Sequence, residues 1–193
     1  MLYALLGDLH SSYKQTKKVL QHIEEIAPTA TIIGLGDLYE CHIGKKKANE
    51  IQEKLPLKEA AKVKKKFQAL LTFPSIIGNQ EERIAKVTGL SAFLQYPQTI
   101  DIEHATLIHG HQFEWSETFE MVGHPTFTQP LVFFGHSHRA ALYEGYERTA
   151  ITYGDVIDVS DKQYFINVGA VVETGDWLLY DSEKRCVTFY QVR

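Results

Sequence analysis

Apolar residues fall along this chain in two rhythms. Residues 2–7 are a continuous apolar run closed by Gly7, the pattern of a strand buried on both faces. In residues 13–26, Val19, Leu20, Ile23 and Ile26 recur at three- and four-residue spacings, which predicts a helix with one apolar face. Ser11 and Ser12 offer its N-cap and Pro28 its stop. Residues 30–35 are again apolar and β-branched, a second strand. Residues 47–71 predict a long helix, broken or kinked near Pro56. Residues 75–77 predict a short third strand, and residues 81–94 a helix with Gly89 as its break. From residue 98 the rhythm changes. Residues 98–102, 105–109, 131–135, 164–168, 177–180 and 187–190 all read as strands with little helix between them. A first half that alternates strand and helix, followed by a half that is mostly strand, predicts an α/β protein with two stacked sheets and helices outside, rather than one doubly wound sheet. With no internal repeat, low-complexity tract or linker, residues 1–193 are expected to form one domain.

Composition narrows this only slightly. Of the 193 residues, 44% are hydrophobic, enough for a sizeable core, and no apolar run is long enough for a membrane span. The apolar start is too short for a signal peptide, and Asp8 follows it at once. Two cysteines, Cys41 and Cys186, are too few for a disulfide framework, so a reducing cytoplasm is the expected location. A net charge of -4 gives no general affinity for nucleic acid. The nine histidines matter more, because of where they fall.

The organising stretch is Gly135-His136-Ser137-His138, directly after the apolar run Leu131-Val132-Phe133-Phe134. Two imidazoles at i and i+2 past a strand end can turn toward one point if the chain bends at the glycine, and neutral imidazole is a common ligand for borderline metals. Four other stretches repeat the design and bring the candidate ligands to seven: Asp8, His10, Asp37, Asn79, His109, His136 and His138. Gly7, Gly36, Gly78 and Gly135 precede most of them and permit tight turns and close backbone approach. Each candidate lies at or after the carboxyl end of a predicted strand, where open α/β sheets bind ligands. The donors are carboxylates, imidazoles and one amide oxygen, with no thiolate. That set suits Mn²⁺, Fe, Zn²⁺ or Ni²⁺, and it is too large for one tetrahedral zinc but fits two metals sharing a carboxylate.

The ordered set Gly7-Asp8-Leu9-His10, Gly36-Asp37, Gly78-Asn79, His109-Gly110-His111 and Gly135-His136-Ser137-His138 resembles the calcineurin-like metallophosphoesterases. The likeness continues through Asn167-Val168-Gly169, which is similar to the small bacterial and archaeal phosphodiesterases. The resemblance implies a four-layer αββα sandwich of two mixed β-sheets flanked by helices. It also implies a phosphodiesterase using two divalent transition metals, with manganese favoured. Asp8, His10 and His138 would hold the first metal, and Asn79, His109 and His136 the second. Asp37 would bridge them, and a hydroxide between the metals would attack phosphorus. Asp37, Asn79 and His111 are the candidates for a direct catalytic part. His109 is taken over His111 as ligand on the family pattern alone; His111 is left to contact substrate, donate a proton or support a ligand. Many family members carry a histidine after the asparagine. Here Gln80 stands, which can orient or hydrogen-bond a substrate but cannot act as an acid.

Further features bear on the substrate. Residues 44–67 carry nine lysines against three glutamates, either a solvated helix face or an electropositive rim for anions. Phe113, Trp115, Phe119 and Met121 read as core, as a dimer face or as a stacking wall for a nucleobase or aryl group. His42 and His124 read as surface loop histidines, and Cys41 as a small buried residue or a redox-sensitive neighbour of the metals. Residues 143–159 read as a hairpin over the site or at a subunit contact. No Arg-Gly, as found in that family's protein phosphatases, follows Gly36-Asp37-Leu38-Tyr39-Glu40, which disfavours without excluding a Ser/Thr phosphatase or a dinucleoside-tetraphosphate hydrolase. The expected partner is a small phosphate ester, with nucleotide-like compounds and a homodimer among the options, and no membrane. The competing class is a scaffold that keeps the fold and binds a protein; seven intact ligand positions weigh against it.

Overall fold

The computed structural model describes residues 1–192. Two mixed sheets stack face to face. The first has five strands in the order Val156–Asp158, Cys186–Gln191, Asp176–Asp181, Leu2–Leu6, Thr31–Gly34. The second has six, in the order Glu147–Thr149, Ala141–Glu144, Tyr164–Asn167, Leu131–Phe134, Ala105–Ile108, Thr99–Ile102.

The continuous apolar runs are explained by burial on both faces, with successive residues pointing opposite ways. In the first strand Tyr3 and Leu5 enter the core between the sheets, together with Leu107, Leu131, Phe133, Ile166 and Phe189. Ala4 and Leu6 face outward against Val19, Ile23 and Trp177. In Leu131–Phe134, Phe133 points inward, while Val132 and Phe134 pack outward against Phe113, Met121 and Phe165. A cavity at a side chain as large and as buried as Phe133 would cost about 3–5 kcal/mol.

The amphipathic segment Tyr13–Ile26 is helical and buries Val19 and Ile23 on the first sheet. The outer face of the second sheet takes a different cover: the segment carrying Phe113, Trp115, Met121 and Phe127, folded as a short ribbon of Glu114–Trp115 against Met121–Gly123. Residues 143–159 do not form one hairpin. They pair Glu147–Thr149 with Ala141–Glu144, then send Val156–Asp158 to the edge of the other sheet.

Three further local expectations are corrected. The long helix over residues 47–71 is three short ones, Lys45–Glu50, Leu57–Ala60 and Lys65–Gln68. Pro56 caps the second, and Ala61–Lys62 leaves the helical path to pair with Glu40–Cys41. Each piece buries one anchor, Ala48, Ala60 or Phe67, so tertiary docking overrides the run of good helix formers. The third strand over residues 75–77 shrinks to a single parallel bridge between Ser75 and Gly34. The helix expected over residues 81–94 is Asn79–Thr88, ended by Gly89 at φ 76° in the left-handed region, then a 3₁₀ turn at Ser91–Leu94.

The parallel pairs decide where the site falls. Leu2–Leu6 runs parallel to Thr31–Gly34, and Leu131–Phe134 runs parallel to both Ala105–Ile108 and Tyr164–Asn167. Parallel strands bring their carboxyl ends to the same side, so the loops carrying Asp8, Asp37, His109 and His136 start as neighbours. Backbone bonds stitch them together: Leu9 and His10 N–H donate to the Asp37 carbonyl at 2.9 and 3.0 Å, and Gly135 N–H donates to the His109 carbonyl at 3.0 Å.

Candidate metal centre

Among the described residues, two triads have ligand atoms within 4.8 Å of one another: Asp8, His10 and His138, and Asp37, His109 and His136. The triads touch. Asp37 Oδ2 lies 3.4 Å from His109 Nε2 and 3.7 Å from His10 Nε2. In the first triad Asp8 Oδ1 is 3.4 Å from His138 Nε2 and 3.9 Å from His10 Nε2. Asp8 Oδ1 and His10 Nε2 are buried without any hydrogen-bond partner. Asn79 belongs with the second triad. Its amide oxygen sits 2.8 Å from His136 Nδ1 and 3.2 Å from His109 Nε2. Turning the amide over would satisfy these atoms by hydrogen bonds alone, with Arg83 and Gln80 N–H then serving the oxygen. Either way round, the Asn79 amide lies within reach of both imidazoles, and with its oxygen inward it would offer a lone pair to a cation. Orphaned buried acceptors and converging lone pairs fit a pair of metal ions.

The backbone works to present these donors. Asp8, His10, Asp37, His136 and His138 all adopt left-handed φ, at 54°, 45°, 51°, 70° and 61°. Each such conformation costs an L-residue roughly 1–2 kcal/mol, less for Asp and His than for bulkier side chains. Two glycines are obligatory for contact reasons. A Cβ on Gly78 would strike the backbone nitrogen and the carboxylate of Asp37, and one on Gly135 would sit 2.5 Å from Asp8 Oδ2.

Orienting groups surround the donors. His109 Nδ1 donates to the Leu35 carbonyl at 2.7 Å, which leaves the Nε2 lone pair aimed at the site. His10 Nδ1 meets Glu40 Oε2 at 2.5 Å, and His138 Nδ1 meets Glu173 Oε1 at 3.1 Å. Glu81, fully buried, accepts from Asp37 and Gly78 N–H with one oxygen (2.9 and 3.0 Å) and from Tyr39 N–H with the other (2.9 Å). Asn167 donates to the Gly135 carbonyl and to Ser137 Oγ at 2.7 and 2.9 Å and so holds the turn of the second histidine pair.

Charges follow from this crowding. Burial alone would lower His109 and His138; the carboxylates of Asp37 and Asp8, respectively, outweigh it, and His138 rises to about 9. Burial, then the charge on His109, drops His136 to about 4. Asp37 is pulled well below the carboxylate range despite its burial, chiefly by His109. Burial and the Asp37 charge push Glu81 up to about 7.

The structure therefore brings all seven expected ligand residues together and leaves His111 outside both triads. Burial, then His109, lowers the His111 imidazole; Nε2 lies 3.3 Å from Glu82 and Nδ1 is buried without a partner. Gln80 is already engaged, its amide oxygen accepting from Cys41 N–H at 3.1 Å. Cys41 is buried, and its thiol is pushed up by that burial. His124 packs at 3.9 Å on Phe165 over the second sheet, and exposed His42 belongs to neither triad. Phe113 and Met121 are core, whereas the Trp115 ring lies 5.7 Å from that of His136.

A cleft of about 380 Å³ opens beside the second triad, lined by Asn79, His111 and His136 on one side and by Lys45, Glu82, Arg83 and Lys86 further out. Of the nine lysines in residues 44–67, Lys45 alone lines it; Lys66 lies over the Tyr13 ring instead. Sequence reasoning passed over Glu40, Glu81, Glu173 and this cationic face. The face had a signal: Asn79, Glu82, Arg83 and Lys86 stand at i, i+3, i+4 and i+7, on one side of a helix.

A buried carboxylate within 4 Å of imidazoles from two triads, opening on a basic cleft, is an arrangement to compare with metal-dependent phosphoesterases. The profile of the calcineurin-like phosphoesterase superfamily domain matches residues 1–178, and the chain belongs to that superfamily. Its members depend on divalent metals. Among solved structures it is similar to a metallophosphoesterase from Sphaerobacter thermophilus (18% identity, TM-score 0.70, 100% of this chain and 89% of that one). It is also similar to Yfce, a phosphoesterase from E. coli (17%, 0.55), and to an archaeal phosphodiesterase (15%, 0.52), each over the whole of both chains. At these identities the likeness concerns the fold, which has the two mixed sheets and flanking helices of that superfamily. Among curated proteins, none matches this sequence.

Proposed function

We propose that this protein is a dinuclear-metal phosphoesterase acting on small phosphodiesters. One atom carries the reading: Asp37 Oδ2, 3.4 Å from an imidazole of one triad and 3.7 Å from an imidazole of the other. Asp8, His10 and His138 are assigned to one ion, Asn79, His109 and His136 to the second, and Asp37 to both. Two cations so held would supply an acidified water as nucleophile and offset charge on the phosphoryl oxygens. The chain's own part is orientation. Leu35, Glu40 and Glu173 fix three imidazoles, and Glu81 ties the Asp37 loop to the Asn79 helix. His111, on the cleft wall with a partnerless buried Nδ1, is assigned to hydrogen-bonding contact with the bound ester. Manganese is the favoured metal, with iron, zinc and nickel able to use the same oxygen and nitrogen donors.

Diesters are favoured because the resembled branch is one of small phosphodiesterases and no Arg-Gly follows the Asp37 motif. A single domain in the cytoplasm is part of the proposal: both sheets share one interleaved core, and both cysteines are free. No helix is long and apolar enough to cross a membrane among the described residues. The test is hydrolysis of bis-p-nitrophenyl phosphate and p-nitrophenyl phosphate with Mn²⁺, Ni²⁺ or Zn²⁺, before and after chelation. Diester cleavage that chelation abolishes is expected. Activity indifferent to chelation contradicts the proposal, and full metal occupancy without turnover points to a scaffold.

A further inference from the structure

The cleft beside the second triad is longer than one phosphate needs, and its cations are arranged in a row. Along the helix Asn79–Thr88, Arg83 and Lys86 follow Asn79 on one face; at 1.5 Å per residue Lys86 stands about 10 Å along the axis from Asn79. Lys45, from the helix Lys45–Glu50, lines the same cleft. Among the described residues none of these three cations is in an ion pair with a carboxylate. Lys86 Nζ donates to Asn49 Oδ1 at 2.6 Å, and Arg83 reaches the Ile43 carbonyl only at 3.5 Å. The one acid of the lining, Glu82, is engaged with His111 at 3.3 Å and with Gln98 at 3.0 Å. Three cations against one occupied carboxylate leave a net positive wall running away from the proposed metals.

We propose that this wall is a subsite for a second phosphate joined to the scissile one, so that substrates with a phosphate chain are preferred over diesters with neutral arms. The inference rests on the phosphoesterase reading and deepens it. Arg83, half-buried next to Asn79, presents its planar donors nearest the scissile group. Lys45 and Lys86 are exposed and act as point charges further along. A neutral aryl or alkyl arm gains nothing from such a wall; a second phosphate pairs with it without desolvating a buried ion.

The probes are methylenediphosphonate and methylphosphonate, titrated calorimetrically into both metal-free and Mn²⁺-saturated protein. The wild type is expected to bind the diphosphonate more tightly, by on the order of tenfold, since each cation of the wall adds a factor of a few. In the Lys45→Gln/Lys86→Gln variant that preference should shrink to about twofold or less in the metal-free protein, where chelation of manganese cannot contribute. Raised salt should erode the wild-type preference in the same direction. Equal affinity for the two probes in the metal-free wild type, or a preference that survives the double substitution, would overturn the subsite. Hydrolysis of bis-p-nitrophenyl phosphate is scored separately: its absence counts against the phosphoesterase reading, while the binding comparison still decides the subsite.

Discussion

Adding manganese to chelated protein should expel protons from the histidines of both triads. Without metal, His109 and His138 sit against carboxylates that outweigh their burial and raise them to about 10 and about 9. Both then carry a proton at pH 7. His10, burial notwithstanding, is also raised, first by Glu40 and then by Asp37 and Asp8; His136, lowered to about 4, adds none. A cation can use these nitrogens only in their neutral form, so filling both sites at pH 7 should release at least about two protons per chain. Because each displaced proton makes apparent affinity rise tenfold per pH unit, the product of the two binding constants should climb roughly a hundredfold per unit below pH 9. Calorimetry in buffers of differing ionisation heat counts the protons directly. The His138→Asn variant should release about one fewer. Release of less than one proton by the wild type would show that these imidazoles do not exchange protons for metal, and the ligand assignment would fail with it.

Four other outcomes follow from the same geometry. In metal-free protein, His109 and His138 have folded values above their unfolded value near 6.5, so their stabilisation is complete below that pH and is lost as pH rises through about 9 to 10; the melting temperature should fall across that window, and far less once metal is bound. Asp37→Asn should cut occupancy of both ions, measured by metal analysis after dialysis, because Asp37 lies within 4 Å of histidines in both triads. His111→Ala should keep both metals while lowering kcat/KM by about tenfold, the loss of one hydrogen bond to the ester; a lost metal would reverse the choice of His109 over His111. Glu81→Gln should destabilise the fold by about 2–4 kcal/mol in denaturant titrations, since an amide can keep the acceptor for two of the three N–H groups but turns a donor on the third.

The central strands and the convergence of the seven candidate ligands were legible because strands such as Leu2–Leu6 and Leu131–Phe134 are buried on both faces and write continuous apolar runs that stop at a glycine. The run at residues 131–134 and the turn after it needed no partner to be read. The long helix over residues 47–71 was misread because propensity is local, whereas Ala61–Lys62 pairs with a strand twenty residues earlier. Glu81 looked like any polar residue in a helical first turn; its burial depends on three N–H groups from distant loops. Glu40 and Glu173 likewise earn their roles from partners 30 and 35 residues away. The lysine-rich stretch had the right charge for a basic rim and the wrong address: most of that rim lies on the helix that begins at Asn79.

The five left-handed candidate ligands also bear on how this centre can be dissected. Alanine tolerates that conformation less well than aspartate or histidine, so an alanine scan would mix two losses, a donor and a backbone fit. Glycine removes the donor and relaxes the chain at once. His136→Gly can therefore melt at a higher temperature than His136→Ala, and in metal-free protein even above the wild type, while binding less metal than the wild type. Thermal robustness and cation affinity would then move in opposite directions at a single position, the mark of a centre whose shape is maintained against the local preference of its own backbone.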